Sequence, residues 1–419
     1  MPGKIFISFL GTNDYKEVAY VKEGHKAIFT KYVQIATFKI CCSDYGEGDR
    51  VFIFTTPSAK KANWVDNGHI DRATNIPKGS KGLYQCFRDL GLDLNPIEIP
   101  EGKSEQQIWE IFQKVYACIE EGDEITFDIT HAFRSIPMLT MVLINYAKLL
   151  KNIKLKGIYY GAFEVEDEQK PIWDLTAFSQ LQDWTNAANG FVNYGNAKAV
   201  KNLAQQTVLP ILRNQHHQHV SIARELDKLA KNIESVSDHI LTNRGAEIVE
   251  ARVFDRLFAN LENLSDDDFI PPFQPILEKV KDKISIFNRH CNIHNGFAAV
   301  QWCLDHDLIQ QGYTLLQECI ISWIAELAGL DMKNKEHRDQ VAGAIFTINH
   351  KIHEDYEKYQ SVIKVLPPEL ASVYDSLSND RNDINHAGFS RNKTPENLRK
   401  VLINTFTKVI SIIYPTHNN

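Results

Sequence analysis

The stretch Glu124-Ile-Thr-Phe-Asp-Ile129, running into Thr130-His131-Ala132-Phe133-Arg134-Ser135 and then Pro137, decides how the first half of the chain folds. Its first six residues read as a strand. Pro137 suits the first turn of a helix, where its missing N–H costs nothing, and the apolar pattern carries that helix to about Leu150. Between strand and helix lies a turn with two hydroxyls, a histidine and an arginine. Free amides and the dipole at a helix start both favour an anion, so this turn reads as a phosphate site.

The same grammar extends in both directions. Lys4 to Leu10 is an apolar run ending in Gly11-Thr12-Asn13-Asp14, a strand and a tight polar turn. Val51 to Thr55, Pro96 to Ile99 and Leu155 to Tyr160 complete the expected strands, the last of these being the final one. Helices are expected over Thr30 to Cys42, Gly82 to Leu90 and Ser104 to Glu121. In the third, Ser104 caps and Ile108, Ile111, Phe112, Val115 and Ile119 form one apolar face. Alternating strands and helices predict a Rossmann-like, doubly wound α/β domain over residues 1–176. Such sheets bind ligands beyond the carboxyl ends of their strands, where both polar turns fall. Neither G-x-G-x-x-G nor G-x-x-x-x-G-K-[ST] occurs, which argues against a nicotinamide dinucleotide or a P-loop triphosphate.

From about Ala177 strand patterns vanish, and residues 177–419 read as an all-α domain. Helices are expected over Gln180 to Leu212, Ser221 to Leu241, Ala246 to Leu261, Ile276 to Phe287, Gln310 to Leu327, Arg338 to Tyr359 and Pro395 to Ile413. Near the end stands Arg381-Asn382-Asp383-Ile384-Asn385-His386, preceded by Leu370, Val373 and Leu377 at helical spacing, with Gly388 as a C-cap or break. A guanidinium forks onto phosphate oxygens and an imidazole moves protons near neutral pH. Together they can cut RNA without a metal, the 2′-hydroxyl attacking the adjacent phosphorus. Five residues turn a straight helix by roughly 140°, so Arg381 and His386 do not share a face. Either the helix breaks near Asn385 or a second copy completes the site. The same pair also occurs as an ordinary solvated helix end.

Composition narrows the function classes. The chain has 419 residues, 43% apolar and 24% charged, with a net charge of −7. Residues 1–175 hold 21 Lys+Arg against 24 Asp+Glu and the rest 25 against 29, so neither half is a basic duplex-binding domain. Seven scattered cysteines without a C-x-x-C pair predict reduced, cytoplasmic thiols. No signal peptide or membrane span is expected. His216, His217 and His219 read as an exposed polar run, and His290 and His294, lacking the Glu of H-E-x-x-H, as structural. No metal site or cofactor is expected.

Residues 4–14, KIFISFLGTND, and 128–137, DITHAFRSIP, resemble the two ligand loops of the CARF–HEPN ribonucleases of type III CRISPR systems. The second loop is usually D-x-T-H-G-F-R-S there; Ala132 replaces the glycine. Residues 302–318, WCLDHDLIQQGYTLLQE, and the RNDINH motif resemble segments of the same family. The resemblance implies a CARF domain that senses cyclic oligoadenylate, by resemblance the four-membered ring. Its loops would offer Gly11, Thr12, Asn13, Thr130, His131, Arg134 and Ser135. It also implies a metal-independent HEPN endoribonuclease, active as a homodimer on single-stranded RNA. His386 would transfer protons, Arg381 would hold the scissile phosphate, and Asn382 would orient one of them. Two alternatives stand beside it: a non-enzymatic regulator, for which no basic helix-turn-helix is visible, and a sensor that degrades its own ligand.

Overall fold

In the computed structural model the central strand is β1 (Lys4–Leu10), almost wholly buried. The structure describes residues 2–66, 70, 74–77, 79, 81–131, 136–213, 220–263, 274–389 and 393–415. The remaining strands are β2 (Val18–Val21), β3 (Ile28–Thr30), β4 (Arg50–Thr55), β5 (Ile97–Glu98), β6 (Glu124–Asp128), β7 (Lys154–Gly161) and β8 (Gln169–Asp174). They form one sheet in the order β3-β2-β8-β7-β6-β1-β4-β5. β5, β4, β1, β6 and β7 are parallel, and β1 lies between β4 and β6. Chain order therefore reverses across the β1/β6 pair, the switch point at which a doubly wound sheet opens a crevice.

Alternation along β1 explains the layers. Ile5, Ile7 and Phe9 join a core with Phe127 of β6 and with Ile111, Val115, Leu143 and Ile144. Phe6 and Leu10 point the other way, into a core with Tyr32, Ile35, Leu83 and Phe87. Successive side chains of a strand face opposite sides, so an unbroken apolar run is what a strand covered on both faces requires. The covering helices are α1 (Val33–Cys41), the short α2 (Pro57–Ala59), α3 (Leu83–Arg88), α4 (Glu105–Ala117) and α5 (Ile136–Lys151). Ser104 accepts from the Gln107 N–H at 3.3 Å, so it caps α4 as its position predicts.

Three strands depart from the sequence reading. Leu155 to Tyr160 is not the final strand: β8 follows it antiparallel, and β2 and β3 extend the sheet beyond β8. β3 also takes Ile28–Thr30, so the first helix begins at Val33 rather than Thr30. The sheet is mixed, with a parallel centre.

The chain divides into two compact units, Met1–Gln180 and Leu181–Asn419. The division falls inside α6 (Thr176–Tyr194). After it come α7 (Lys198–Arg213), α8 (Val220–Leu241), α9 (Gly245–Glu250), α10 (Arg252–Glu262), α11 (Gln274–Ile284), α12 (His294–Asp305) and α13 (Ile309–Leu327). The last are α14 (Lys335–His350), α15 (Gln360–Ile363), α16 (Pro368–Asn385) and α17 (Pro395–Ile413). One apolar core joins α8, α10, α12, α13, α16 and α17. Three expected helices are interrupted. Gln180 to Leu212 breaks at Gly195, whose φ is +64°; Ala246 to Leu261 breaks at Ala251, φ +65°; Arg338 to Tyr359 stops before Lys351, φ +53°. A left-handed residue cannot propagate a right-handed helix. No helix among the described residues is long and apolar enough to cross a membrane.

Candidate functional site

The first candidate site lies where the switch point places it. The loop after β1 and the loop after β6 meet, and Gly11, Thr12, Asn13, Thr130 and His131 line one cleft of about 220 Å³. An adjoining cleft of about 480 Å³ shares Asn13, Thr130 and His131 and opens toward β7 and β2. Arg134 and Ser135 lie outside the described residues, and so do His216, His217 and His219.

Asp128, the last residue of β6, ties the second loop down. Its buried carboxylate accepts from the Ser8 hydroxyl at 2.9 Å, the Thr130 N–H at 3.0 Å and the Thr130 hydroxyl at 2.6 Å. The Thr130 oxygen in turn accepts from the Gly161 N–H at 2.8 Å. Burial raises the Asp128 pKa, against the lowering effect of those donors. Thr130 is thus a positioned hydroxyl whose donor and acceptor roles are already engaged.

The first loop is held from elsewhere. The Asn63 amide, on a π-helical turn Lys60–Trp64, donates to the carbonyls of Gly11 and Asn13, each at 2.9 Å. The Gly11 N–H donates to the Tyr15 hydroxyl at 3.0 Å. The Tyr15 ring leans on the His131 ring with centroids 4.3 Å apart. Burial holds the His131 imidazole down at about 4, so it is neutral near pH 7. Its Nε2 is buried without a hydrogen-bond partner among the described residues. A buried polar atom left unpaired costs about 1–3 kcal/mol, which a ligand group reaching it would recover.

The sequence reading did not include Tyr15, Tyr20, Asn63, Tyr160, Phe163 or Glu164. Five of these line the larger cleft, and Asn63 braces its loop. The Tyr160 hydroxyl donates to Glu164 at 2.7 Å, and burial first, then that carboxylate, push the phenol up to about 12. Tyr15, four residues past Gly11, was within reach of a loop-based reading. Asn63 had no local signal, because a π-helical turn distant in sequence delivers it.

The second candidate site is the end of α16. Arg381 and Asn382 occupy its last turns, and His386 is its C-cap. The Ala387 N–H donates to Ile384 O at 3.0 Å and the Gly388 N–H to Asp383 O at 2.9 Å, with φ of +57° at Ala387. That is a Schellman ending, displaced one residue from the glycine the sequence suggests, since Ala387 itself takes the left-handed conformation. The Arg381 guanidinium reaches the Asn382 amide oxygen at 3.3 Å, and its Nε has no partner among the described residues. His386 is exposed. The helix is fixed by polar crosslinks. Gln317 of α13 donates to the hydroxyls of Tyr374 at 3.0 Å and Ser378 at 2.9 Å, and Lys393 pairs with the buried Asp380.

The structure does not bring Arg381 and His386 together within one chain by a break. The His386 N–H still donates to Asn382 O at 2.9 Å, so His386 remains on the helical path and keeps its angular offset from Arg381. Among the described residues no three His, Cys, Asp or Glu side chains are grouped so as to hold a metal ion. His294, one of the histidines read as structural, stacks on Tyr414 with centroids 4.7 Å apart.

Residues 5–164 match the family described as the CARF domain of the CRISPR system endoribonuclease Csx1. Residues 180–290 match the second domain of CRISPR-associated protein MJ1674. Over 338 residues the chain is 28% identical to the CRISPR-associated protein MJ1674 of Methanocaldococcus jannaschii, covering 77% of this chain and 48% of that protein. The chain spans about half the length of this curated relative.

Proposed function

We propose that this chain is a CARF-containing CRISPR-associated protein of the type III kind and an endoribonuclease switched on by cyclic oligoadenylate. The observation that carries this reading is the cleft at the β1/β6 switch point, built from the two loops of a Csx1-type CARF domain. Its polar lining and the His131 Nε2, which has no partner among the described residues, suit phosphate and ribose oxygens. The aromatic groups of the adjoining cleft suit a base. The ligand of this reading is the four-membered ring, a two-fold symmetric molecule on a two-fold axis.

The second unit would be the HEPN nuclease. Arg381 would fork onto the scissile phosphate and stabilise its transition-state charge. His386 would take the proton of the 2′-hydroxyl or give one to the leaving 5′-oxygen. The 2′-oxygen bonds to phosphorus as the bond to the 5′-oxygen breaks, leaving 2′,3′-cyclic phosphate and 5′-hydroxyl ends. Asn382, already touching Arg381, would hold the guanidinium in place.

The enzyme would be a homodimer. Two observations support this. The offset between Arg381 and His386 is not relieved within one chain, and a C₂ axis would supply a second copy of the motif. On α5, directly after the second ligand loop, Met138, Val142, Tyr146, Leu149 and Leu150 lie exposed at helical spacing, Met138 by 73% and Leu149 by 82%. An apolar stripe of this kind marks an association surface. The deciding experiment is incubation of labelled single-stranded RNA with the protein, with and without cyclic tetra-adenylate, alongside His386→Ala. Ring-stimulated, His386-dependent cutting supports the reading; ring binding without any cutting leaves a non-enzymatic regulator.

A further inference from the structure

Beside the last turn of α16 lies an open groove of about 390 Å³ that the Arg–His chemistry does not use. Its floor is apolar: Leu308 and Ile309 at the start of α13, Ile384 of α16 and Leu398 of α17. All four are only half-buried, although each packs on the core of the second unit. At its edge stands Gln310, exposed, whose amide donates to the Asn385 amide oxygen at 3.3 Å. Asn385 is the immediate neighbour of His386. An apolar slot and a polar edge thus lie directly beside the proposed cutting residues.

Resting on the reading of the second unit as an RNA nuclease, we propose that this groove holds one unpaired base of the substrate strand and that Gln310 reads its edge. A nucleobase is an apolar plate with donors and acceptors only around its rim, which matches an aliphatic floor with an amide at one side. Amide side chains pair in two-point fashion with base edges, and single-stranded RNA is read by such contacts on splayed bases. The Gln310–Asn385 bond is long at 3.3 Å and exposed, so exchanging it for a base costs little. The groove volume falls in the range of about 300–1,000 Å³ in which clefts hold small organic groups. Because Asn385 adjoins His386, the base held there would lie within a nucleotide or so of the cut, and its identity would bias where the strand is broken.

The test uses the full-length, ring-activated protein and a single-stranded RNA pool of random sequence, with the cut ends sequenced. The parent should prefer one or two bases at a single position next to the cut. Gln310→Leu keeps an apolar stem and removes the donor and acceptor, and it should flatten that preference by about five- to 150-fold, leaving other positions unchanged. Gln310→Glu, which replaces the donor by an acceptor, should shift the preference to a different base. Thermal melting checks that both variants fold. Identical cutting profiles in parent and variants overturn the proposal while leaving the nuclease reading intact. Variants that dissociate to monomers with an unchanged profile assign the groove to a second copy of the chain and also overturn it. A parent that shows no His386-dependent cutting overturns the nuclease reading, and the base site with it.

Discussion

Adding one methyl group at Gly11 tests how the ligand cleft is built. Gly11 does not have a left-handed φ, so backbone strain plays no part. Contact does. A Cβ placed there would lie 2.7 Å from the Tyr15 hydroxyl, where ordinary contact begins at 3.4 Å. The phenol cannot simply swing away. It accepts the Gly11 N–H, it is only 8% exposed, and its ring is wedged between Tyr32, at a centroid distance of 5.9 Å, and His131, at 4.3 Å. Overpacking of this kind costs about 1–3 kcal/mol, and displacing the phenol moves His131 in the same cleft. Gly11→Ala should therefore weaken binding of cyclic tetra-adenylate by about five- to 150-fold in titration calorimetry. Tyr15→Phe alone leaves the Gly11 N–H unpaired and should also weaken binding. In the double variant the atom that clashed is gone, so it should bind about as well as Tyr15→Phe, with a coupling of about 1–3 kcal/mol between the sites. Strict additivity of the two losses, or a Gly11→Ala protein that binds like the parent, would refute the reasoning.

Three other outcomes are expected. His386→Ala should lower RNA cleavage by about 10²–10⁴-fold with ring binding intact, and the parent's cleavage should persist in EDTA; a rate that collapses with chelator and returns with Mg²⁺ tells against the mechanism. Mixing inactive His386→Ala and Arg381→Ala subunits should restore part of the activity if each partner completes the other's site, and a fully active monomer by light scattering would exclude this. The third concerns pH: His131 stays neutral in the fold down to about 4, whereas the unfolded chain takes up that proton near 6.5. Protons then favour the unfolded chain, so the first unit should lose about 3 kcal/mol as pH falls through this window. The raised pKa of Asp128 acts in the opposite direction, so the comparison with His131→Gln isolates the histidine: if melting of the two proteins falls in parallel with pH, its ring is not buried neutral.

What the sequence disclosed tracks where the folding information sits. β1 is legible because a parallel strand covered on both faces is apolar at nearly every position, and β6 because Ile125 and Phe127 recur at the strand period between polar residues. β2 and β3 are not, being only 4 and 3 residues long, and neither is β8, which carries Pro171, a residue that argues against a strand. Pairing creates them: Pro171 lies opposite Val21, and its carbonyl takes the Ala162 N–H at 2.9 Å. The helix break at Gly195 is of the same kind. A Cβ there would meet the Trp302 indole nitrogen at 2.9 Å, a neighbour far along the chain. Ala251 gave no warning, because alanine is seldom left-handed. The two candidate loops were legible as polar turns at strand ends, whereas Tyr20 of β2, Tyr160 of β7 and Asn63 of a π-helical turn, which help to shape their cleft, come from elsewhere in the chain.

The Arg381–His386 motif shows where such reading stops. Its composition states a chemistry and its spacing states an obstacle, and the sequence leaves two ways around that obstacle. A break before the histidine would have to remove the bond from the His386 N–H to Asn382 O, and that bond is present at 2.9 Å. The left-handed turn begins only at Ala387, one residue too late to redirect the imidazole. Placing the break after His386 fixes the histidine at a capped, exposed helix end while Arg381 stays packed a turn and a half earlier. In the proposed dimer each chain would present half of a cleft, on a helix held to α13 through Gln317 rather than left free to bend. A site assembled from two such halves depends on how two copies meet. A ligand that preferred one mode of pairing would therefore control cutting without touching either residue, by the amount of that preference, typically about 1–3 kcal/mol.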